Sequence, residues 1–271
     1  MVRPKQNCSL LTWSSSGYGV QSVITGACRD LGLTLIKQLV AFPSSEVSKI
    51  IAAARGDAPA LEKIASESSG RVSVIKLDVT NWDSINKAAA ETKSILGDKG
   101  LDILVNNAGI CEYAFGGVAT MENLQNSMNV NVMGVHWTTQ AFLPLLQTGS
   151  LKKVVNMSTT LGSITLAADA VAFPAPAYKI SKAALNALTV QYALDHEKEG
   201  FTFMALCPGW LKTDLGGGDM ADLTPEEGAK ASLDIIFKKG QEVNGKMPKV
   251  FVKGWENAKG PNVYDGTNAP W

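Results

Sequence analysis

Surplus charge of either sign is absent from this chain: 25 basic and 25 acidic residues cancel. That balance excludes the basic face on which a nucleic-acid or anionic-membrane binder depends. Histidine is nearly missing, with His136 and His196 the only two, too far apart in sequence to read as a metal site. The four cysteines, Cys8, Cys28, Cys111 and Cys207, form no CxxC pair and no metal-like spacing, so a reducing compartment is expected. No apolar run approaches the ~20 residues of a membrane span, and Leu10–Trp13 is too short and too polar for a signal-peptide core. These absences lead to the expectation of a soluble, cytoplasmic protein. Arginine is scarce too, with only Arg3, Arg29, Arg55 and Arg71.

What is present is core material and a regular alternation. Hydrophobic residues make up 45% of the 271, ample for a doubly wound α/β domain. Short β-branched runs at 20–25, 47–53, 72–77, 101–105, 152–157, 201–206 and 249–253 read as seven buried strands, the last starting just after Pro248. Helical patterns fill the gaps at 31–41, 58–68, 82–96, 121–147, 177–199 and 225–238. This order predicts a single Rossmann-type domain over 20–271, a parallel sheet with helices on both faces. Right-handed crossovers leave ligands outside the carboxyl ends of the strands. Residues 1–19 read as an N-terminal extension of the polar, glycine-bearing kind that is often disordered.

Three stretches carry chemistry. Tyr178 and Lys182 stand four residues apart on a predicted helix, so phenol and ammonium share a face. A nearby cation favours the phenolate, and the expectation is a tyrosine pKa drawn down toward neutrality. Thr25–Gly32 turns from a strand through Gly26 and Gly32 into a helix, presenting main-chain N–H groups and a positive dipole end to a diphosphate, with Arg29 and Leu31 among the expected cofactor contacts. Asn106-Asn107-Ala108-Gly109 ends the fourth strand with small residues that let a cofactor lie close. Asp78, beside Val79, ends the third strand, where a carboxylate can accept from an adenine amino group. Each motif alone is weak; their order along one chain is not.

Together these residues resemble the short-chain dehydrogenase/reductase family: an imperfect TGxxxGxG at 25–32, NNAG at 106–109, YxxxK at 178–182, and a PG turn at Pro208-Gly209 followed by Thr213. The resemblance covers about residues 20 to 255. The compact loop after Gly209 and the segment Tyr264-Asp265-Gly266…Pro270-Trp271 are similar to the carbonyl-reductase branch, which includes cytosolic ketoreductases and fungal secondary-metabolite reductases. The resemblance implies Tyr178 as proton donor and Lys182 as the group that tunes it and holds the nicotinamide ribose. It also implies Asn131 (or its neighbour Asn129) as the asparagine that positions a water, with Gly209, Pro208 and Thr213 at the cofactor. Counting back from Gly162 puts Thr159 at the position of the carbonyl-polarising hydroxyl, with Ser158 kept open beside it.

Charge argues for NADPH. The second predicted strand runs into Ala52-Ala53-Ala54-Arg55 with no acid until Asp57, so the carboxylate that would hold a ribose 2′-hydroxyl and repel a 2′-phosphate is missing. Arg29 and Arg55 are placed to grip that phosphate. The expected reaction is reduction of a ketone or aldehyde by hydride transfer. Two alternatives use the same fold: non-redox dehydration, epimerisation or cyclisation, and a low-turnover cofactor-binding regulator.

Departures from the pattern are Asp30 in place of the middle glycine, Thr159 in place of serine, and a long alanine- and proline-bearing loop at 164–176. Asp30 is expected either to weaken cofactor binding by repulsion or to cap the following helix. His136 reads as a helix contact, His196 as a helix-end group, and Trp210 as pocket or core. The helices at 121–147 and 177–199 either pair across a homodimer or face solvent, and the sequence leaves both open.

Overall fold

The computed structural model describes residues 19–258 and 262–271; the expected extension at 1–19 lies almost wholly outside them. Six strands, β1 (Val20–Thr25), β2 (Val47–Ala54), β3 (Val72–Lys76), β4 (Ile103–Asn106), β5 (Lys153–Met157) and β6 (Thr202–Leu206), form one sheet in the order β3-β2-β1-β4-β5-β6, every pair parallel. β1, β4, β5 and β6 are buried at every position, the mark of strands covered on both faces. Alternate side chains divide between two cores. Val20 and Ile24 join Leu35, Leu39, Ile236 and Phe237 on one face, while Val23 joins Ala88, Phe142, Leu146 and Phe203 on the other.

The helices behind those contacts are α1 (Asp30–Ala41), α2 (Pro59–Glu67), α3 (Trp82–Leu96), α4 (Leu124–Met128), α5 (Gly134–Thr148), α6 (Pro176–Asp195) and α7 (Pro225–Lys238). Their starts are legible locally. Asn81 accepts from Ser84 N at 2.8 Å to cap α3. Thr224 and Glu227 form a reciprocal capping box at α7, and Pro59, Pro176 and Pro225 sit in the first turn, where a missing N–H costs nothing.

Two expectations fail. The seventh strand at 249–253 does not form. The segment runs beside β6, with Ala205 N donating to Lys246 O and Cys207 N to Pro248 O, and Val250 N returning to Cys207 O. In such a parallel ladder the donor back to Ala205 O is residue 248, and proline has no N–H. What remains is β7 (Met247–Pro248), paired antiparallel with β8 (Asn268–Ala269).

The long helix at 121–147 is also broken. A 3₁₀ turn at Gly117–Thr120 precedes α4, and a π-helical turn, Asn129–Met133, separates α4 from α5. Gly134 lets the start of α5 approach the end of β3, since a Cβ there would meet Val79 O at 2.9 Å.

The sheet order reverses between β1 and β4. At that switch point the carboxyl ends of the strands open into one cleft of about 970 Å³.

Candidate active site

The cleft is built from the ends of β1 through β6. At the β1–α1 turn Gly26 has φ +62°, and a Cβ on it would lie 2.9 Å from Ala108 Cα; one on Gly32 would meet Gly26 O at 2.3 Å. Only glycine lets the two turns touch, so main-chain N–H groups at the start of α1 face the cleft. The lock between them is Asn107. Its Nδ2 donates to Thr25 O at 2.9 Å, while Thr25 Oγ1 accepts from the N–H groups of Asn107 and Ala108, each at 3.0 Å.

Asn106 departs from its expected place. It is buried, its amide donates to Thr139 Oγ1 and to Asn156 Oδ1 at 2.8 Å, and it does not line the cleft. The side chain faces the helical layer because alternation along β4 turns consecutive residues to opposite faces. Asn107, which sequence reasoning passed over, does the positioning; its signal was the position after the strand's last residue.

Arg29, Leu31, Arg55, Asp78 and Val79 line the half of the cleft formed by the ends of β1, β2 and β3. Burial alone would raise the Asp78 carboxyl, but hydrogen bonds from Thr80 N (2.9 Å) and Thr80 Oγ1 (2.7 Å) and the charge of Arg55 outweigh it and hold it low. An ionised acceptor therefore sits close to a guanidinium. Asp30 takes left-handed backbone, φ +49°. Burial and then the neighbouring Asp214 raise its pKa, although Arg29 Nε lies 3.7 Å from Oδ2. The capping expectation fails: α1 has Arg29 at its N-cap and no side-chain cap.

At the other half, α6 carries Tyr178 and Lys182 into the cleft, both buried. Lys182 Nζ donates to Met157 O at 2.6 Å and lies 5.7 Å from the Tyr178 ring centroid. The expected downward shift of the phenol is not what this geometry produces. Burial pushes Tyr178 well above the ordinary tyrosine range, and burial also draws Lys182 down to about 8. The phenol is thus held protonated. Cys111, close enough to feel the Lys182 charge, is pushed up to about 11 by burial.

The π turn presents Asn131 rather than Asn129. Asn131 is fully buried, accepts from Ile110 N and donates to Ile110 O, both at 2.9 Å, and donates to Ser181 Oγ at 3.0 Å. Asn129 instead accepts from Gln125 at the surface. Asn131 therefore fixes the chain just after Gly109, beside Lys182 Nζ.

The two hydroxyls after β5 separate cleanly. Ser158 donates to Asn186 Oδ1 at 2.6 Å, which spends its proton inside the α6 packing. Thr159 Oγ1 accepts from Leu161 N at 3.2 Å, leaving its own proton for the cleft that both residues line.

Pro208, Gly209 and Thr213 border the same space after β6. Gly209 has φ +89°, with Leu223 and Tyr264 packed where a Cβ would be. Trp210 resolves toward the pocket, its Nε1 donating to Gly216 O at 2.6 Å and its main-chain N to Tyr264 Oη. Tyr264 in turn donates to Asp222 Oδ2 at 2.5 Å. Thr165 in the 164–176 loop donates to Trp271 O through both N and Oγ1, so the last described residues buttress the loop that walls the cleft.

Among the described residues no group of histidine, cysteine or carboxylate side chains is placed to hold a metal, and no helix is long and apolar enough to cross a membrane. The residues do fit a dinucleotide: a glycine cradle, a helix N-terminus, two guanidinium groups and an ionised acceptor line one continuous cleft.

Comparison with known proteins agrees. A family model described as short chain dehydrogenase matches residues 21–223. A short-chain dehydrogenase/reductase of Arthrinium sp is 35% identical over 238 residues, covering 83% of this chain and 85% of its own. The NADPH-bound carbonyl reductase from chicken fatty liver superposes with TM-score 0.82 at 28% identity, over 94% of this chain and all of that one. The carbonyl reductase Sniffer of D. melanogaster gives 0.81 at 29%, again over 94% and 100%.

Proposed function

The chain belongs to the short-chain dehydrogenase family, an oxidoreductase family, and from that premise we propose that it reduces a ketone or aldehyde to an alcohol with NADPH. The observation that carries this is the meeting of a protonated, buried phenol, an ammonium four residues on and a threonine hydroxyl in one cleft whose far end holds Arg29 and Arg55. NADPH, when bound, supplies the hydride that the carbonyl carbon accepts.

The residues of the chain do the rest. Thr159 donates a hydrogen bond to the carbonyl oxygen and so polarises it. Tyr178 releases its proton to that oxygen as charge builds there; its raised pKa keeps the proton available through neutral pH. Lys182 sits where its charge stabilises the phenolate left behind, and Asn131 holds the Ile110 main chain that borders it. Arg55 and Arg29 pair with the 2′-phosphate, a reading supported by the absence of a carboxylate at the end of β2 and by the NADPH in the chicken enzyme. Gly26, Gly32, Ala108, Pro208, Gly209 and Thr213 let the cofactor lie against main chain. We take 20–271 as one catalytic domain working in the reducing cytoplasm; the three described cysteines are all free.

The test is direct: mix purified protein, NADPH and a panel of carbonyl compounds and follow NADPH loss together with product mass. Carbonyl-dependent oxidation with alcohol formed in equal amount is the expected result. Products of unchanged redox state would point to dehydration or epimerisation instead, and a clear preference for NADH would overturn the cofactor assignment.

A further inference from the structure

The substrate end of the cleft is apolar well beyond the reacting groups. Leu166, Phe173, Trp210, Leu215, Val263 and Tyr264 line it. Phe173 then continues outward: its ring meets Tyr113 at 5.7 Å, and Tyr113 stacks on Phe115 at 5.8 Å with ring planes 19° apart. Phe115 is 85% exposed, so a row of three aromatic rings leads from the cleft into solvent.

This ledge is held rather than loose. Ala114 N donates to Pro174 O at 2.8 Å, and Gly117 N closes a turn on Ala114 O at 2.9 Å. The segment is thereby tied to the Phe173 loop. Beside it stands the 73% exposed Met220: a Cβ on Gly217 would lie 3.2 Å from Met220 Cε and 3.9 Å from Tyr113 Oη. Large apolar side chains left in water beside a pocket mark something that covers them when bound.

We propose that the substrate is a ketone with an extended apolar group, its carbonyl at Tyr178 and its apolar portion running out over Phe173, Tyr113 and Phe115. Tyr113 and Phe115 are then specificity-determining residues. This rests on the reductase reading for the position of the carbonyl. It commits to substrate, rather than a second copy of the chain, because the ledge is continuous with the cleft through Phe173, which belongs to both.

The experiment uses alkyl phenyl ketones from methyl to octyl with the oxidised-cofactor complex, and reads equilibrium binding by quenching of tryptophan fluorescence. Turnover with NADPH is measured in parallel. Affinity is expected to rise by about two- to fourfold per methylene, the upper figure being full burial. In Phe115→Ser the loss should grow with chain length, and Phe115→Leu should recover most of it. A flat series in the wild type overturns the proposal, as does a loss in Phe115→Ser that is equal for short and long ketones. So does a dimer that Phe115→Ser dissociates while ketone binding stays the same, which would assign the ledge to a second copy. A binding slope without turnover of any ketone would leave the apolar ligand class standing and sink the reductase reading instead.

Discussion

The carboxyl of Asp30 lies beside Asp214 where the cleft meets the β1–α1 turn, held above its usual range first by burial and then by that like charge. Arg29 stands between them, 3.7 Å from the one and 3.8 Å from the other, and compensates only in part.

Two outcomes are expected of Asp30→Gly. NADPH binding tightens by several-fold, more at low ionic strength, because a carboxylate facing a diphosphate costs about 1 kcal/mol after screening. Thermal stability rises, since glycine removes the left-handed strain at φ +49° and no cap is lost. For Asp30→Asn the sign follows from linkage. A raised folded pKa contributes stability below the ordinary carboxylate range that is lost as pH climbs through the folded value, so the amide should be the more stable form at pH 7. Titrations at two salt concentrations and melting curves check both; unchanged affinity at low salt rejects the repulsion.

Tyr178→Phe should cost ~10²–10⁴-fold in kcat while NADPH affinity stays near wild type. Because Lys182 is drawn down to about 8, its ammonium is lost as pH rises through that value, and KM for NADPH should climb there. A Tyr178→Phe enzyme with near-normal kcat would remove the tyrosine from the mechanism.

Thr159→Val and Ser158→Ala separate the two hydroxyls. The first should lower kcat by about tenfold or more with little change in melting temperature. The second leaves the buried Asn186 Oδ1 without its donor and should mainly destabilise, by ~1–3 kcal/mol. Kinetics and denaturation of both variants decide, and the reverse pattern would make Ser158 the polarising group.

Arg55→Ala should weaken NADPH by roughly ten- to a hundredfold and leave NADH almost unchanged, the loss of a charge-assisted pair to the 2′-phosphate being worth ~1.5–3 kcal/mol. Equal losses for both cofactors, measured by titration, would make Arg55 structural.

Lys153 is a stability probe remote from the cleft. Its Nζ donates to Ile236 O and Lys239 O at the end of α7, and burial draws it down to about 8. Between that value and its unfolded pKa near 10.5 the unfolded chain binds more protons, so this group makes stability rise with pH. Denaturation of wild type and Lys153→Met across that window should show the slope in the former and its loss in the latter.

How much of this was readable in advance depends on whether the deciding physics is local. β4 and β6 announce themselves because strands covered on both faces are largely apolar, as in Ile103-Leu104-Val105 and Phe203-Met204-Ala205-Leu206. The segment after Pro248 carries a similar apolar stretch, Val250-Phe251-Val252, yet one missing N–H interrupts its ladder with β6. Tyr178 and Lys182 were legible from their spacing taken with the motifs upstream, and both line the cleft. Their proton affinities were not, since burial is the leading cause of both shifts and depends on packing from residues distant in sequence. Asn106 and Asn107 are adjacent and identical in type; only the alternation at the end of β4 says that the second locks the glycine turn. Asn131 and Asn129 posed the same problem, and hydropathy does not distinguish a π turn from the α-helix around it.

That turn makes the helix a phase device. A π turn accommodates one residue more than the α-helical path, and an α-helix advances about 100° per residue. Deleting a single residue from Leu124–Met128 would let the helix rewind into uninterrupted α geometry, swinging Asn131 away from Ile110 and Ser181 while every side chain of the cleft kept its identity. Length, and not only composition, is therefore under constraint here, whereas the surface loops nearby can gain or lose residues without rotating anything.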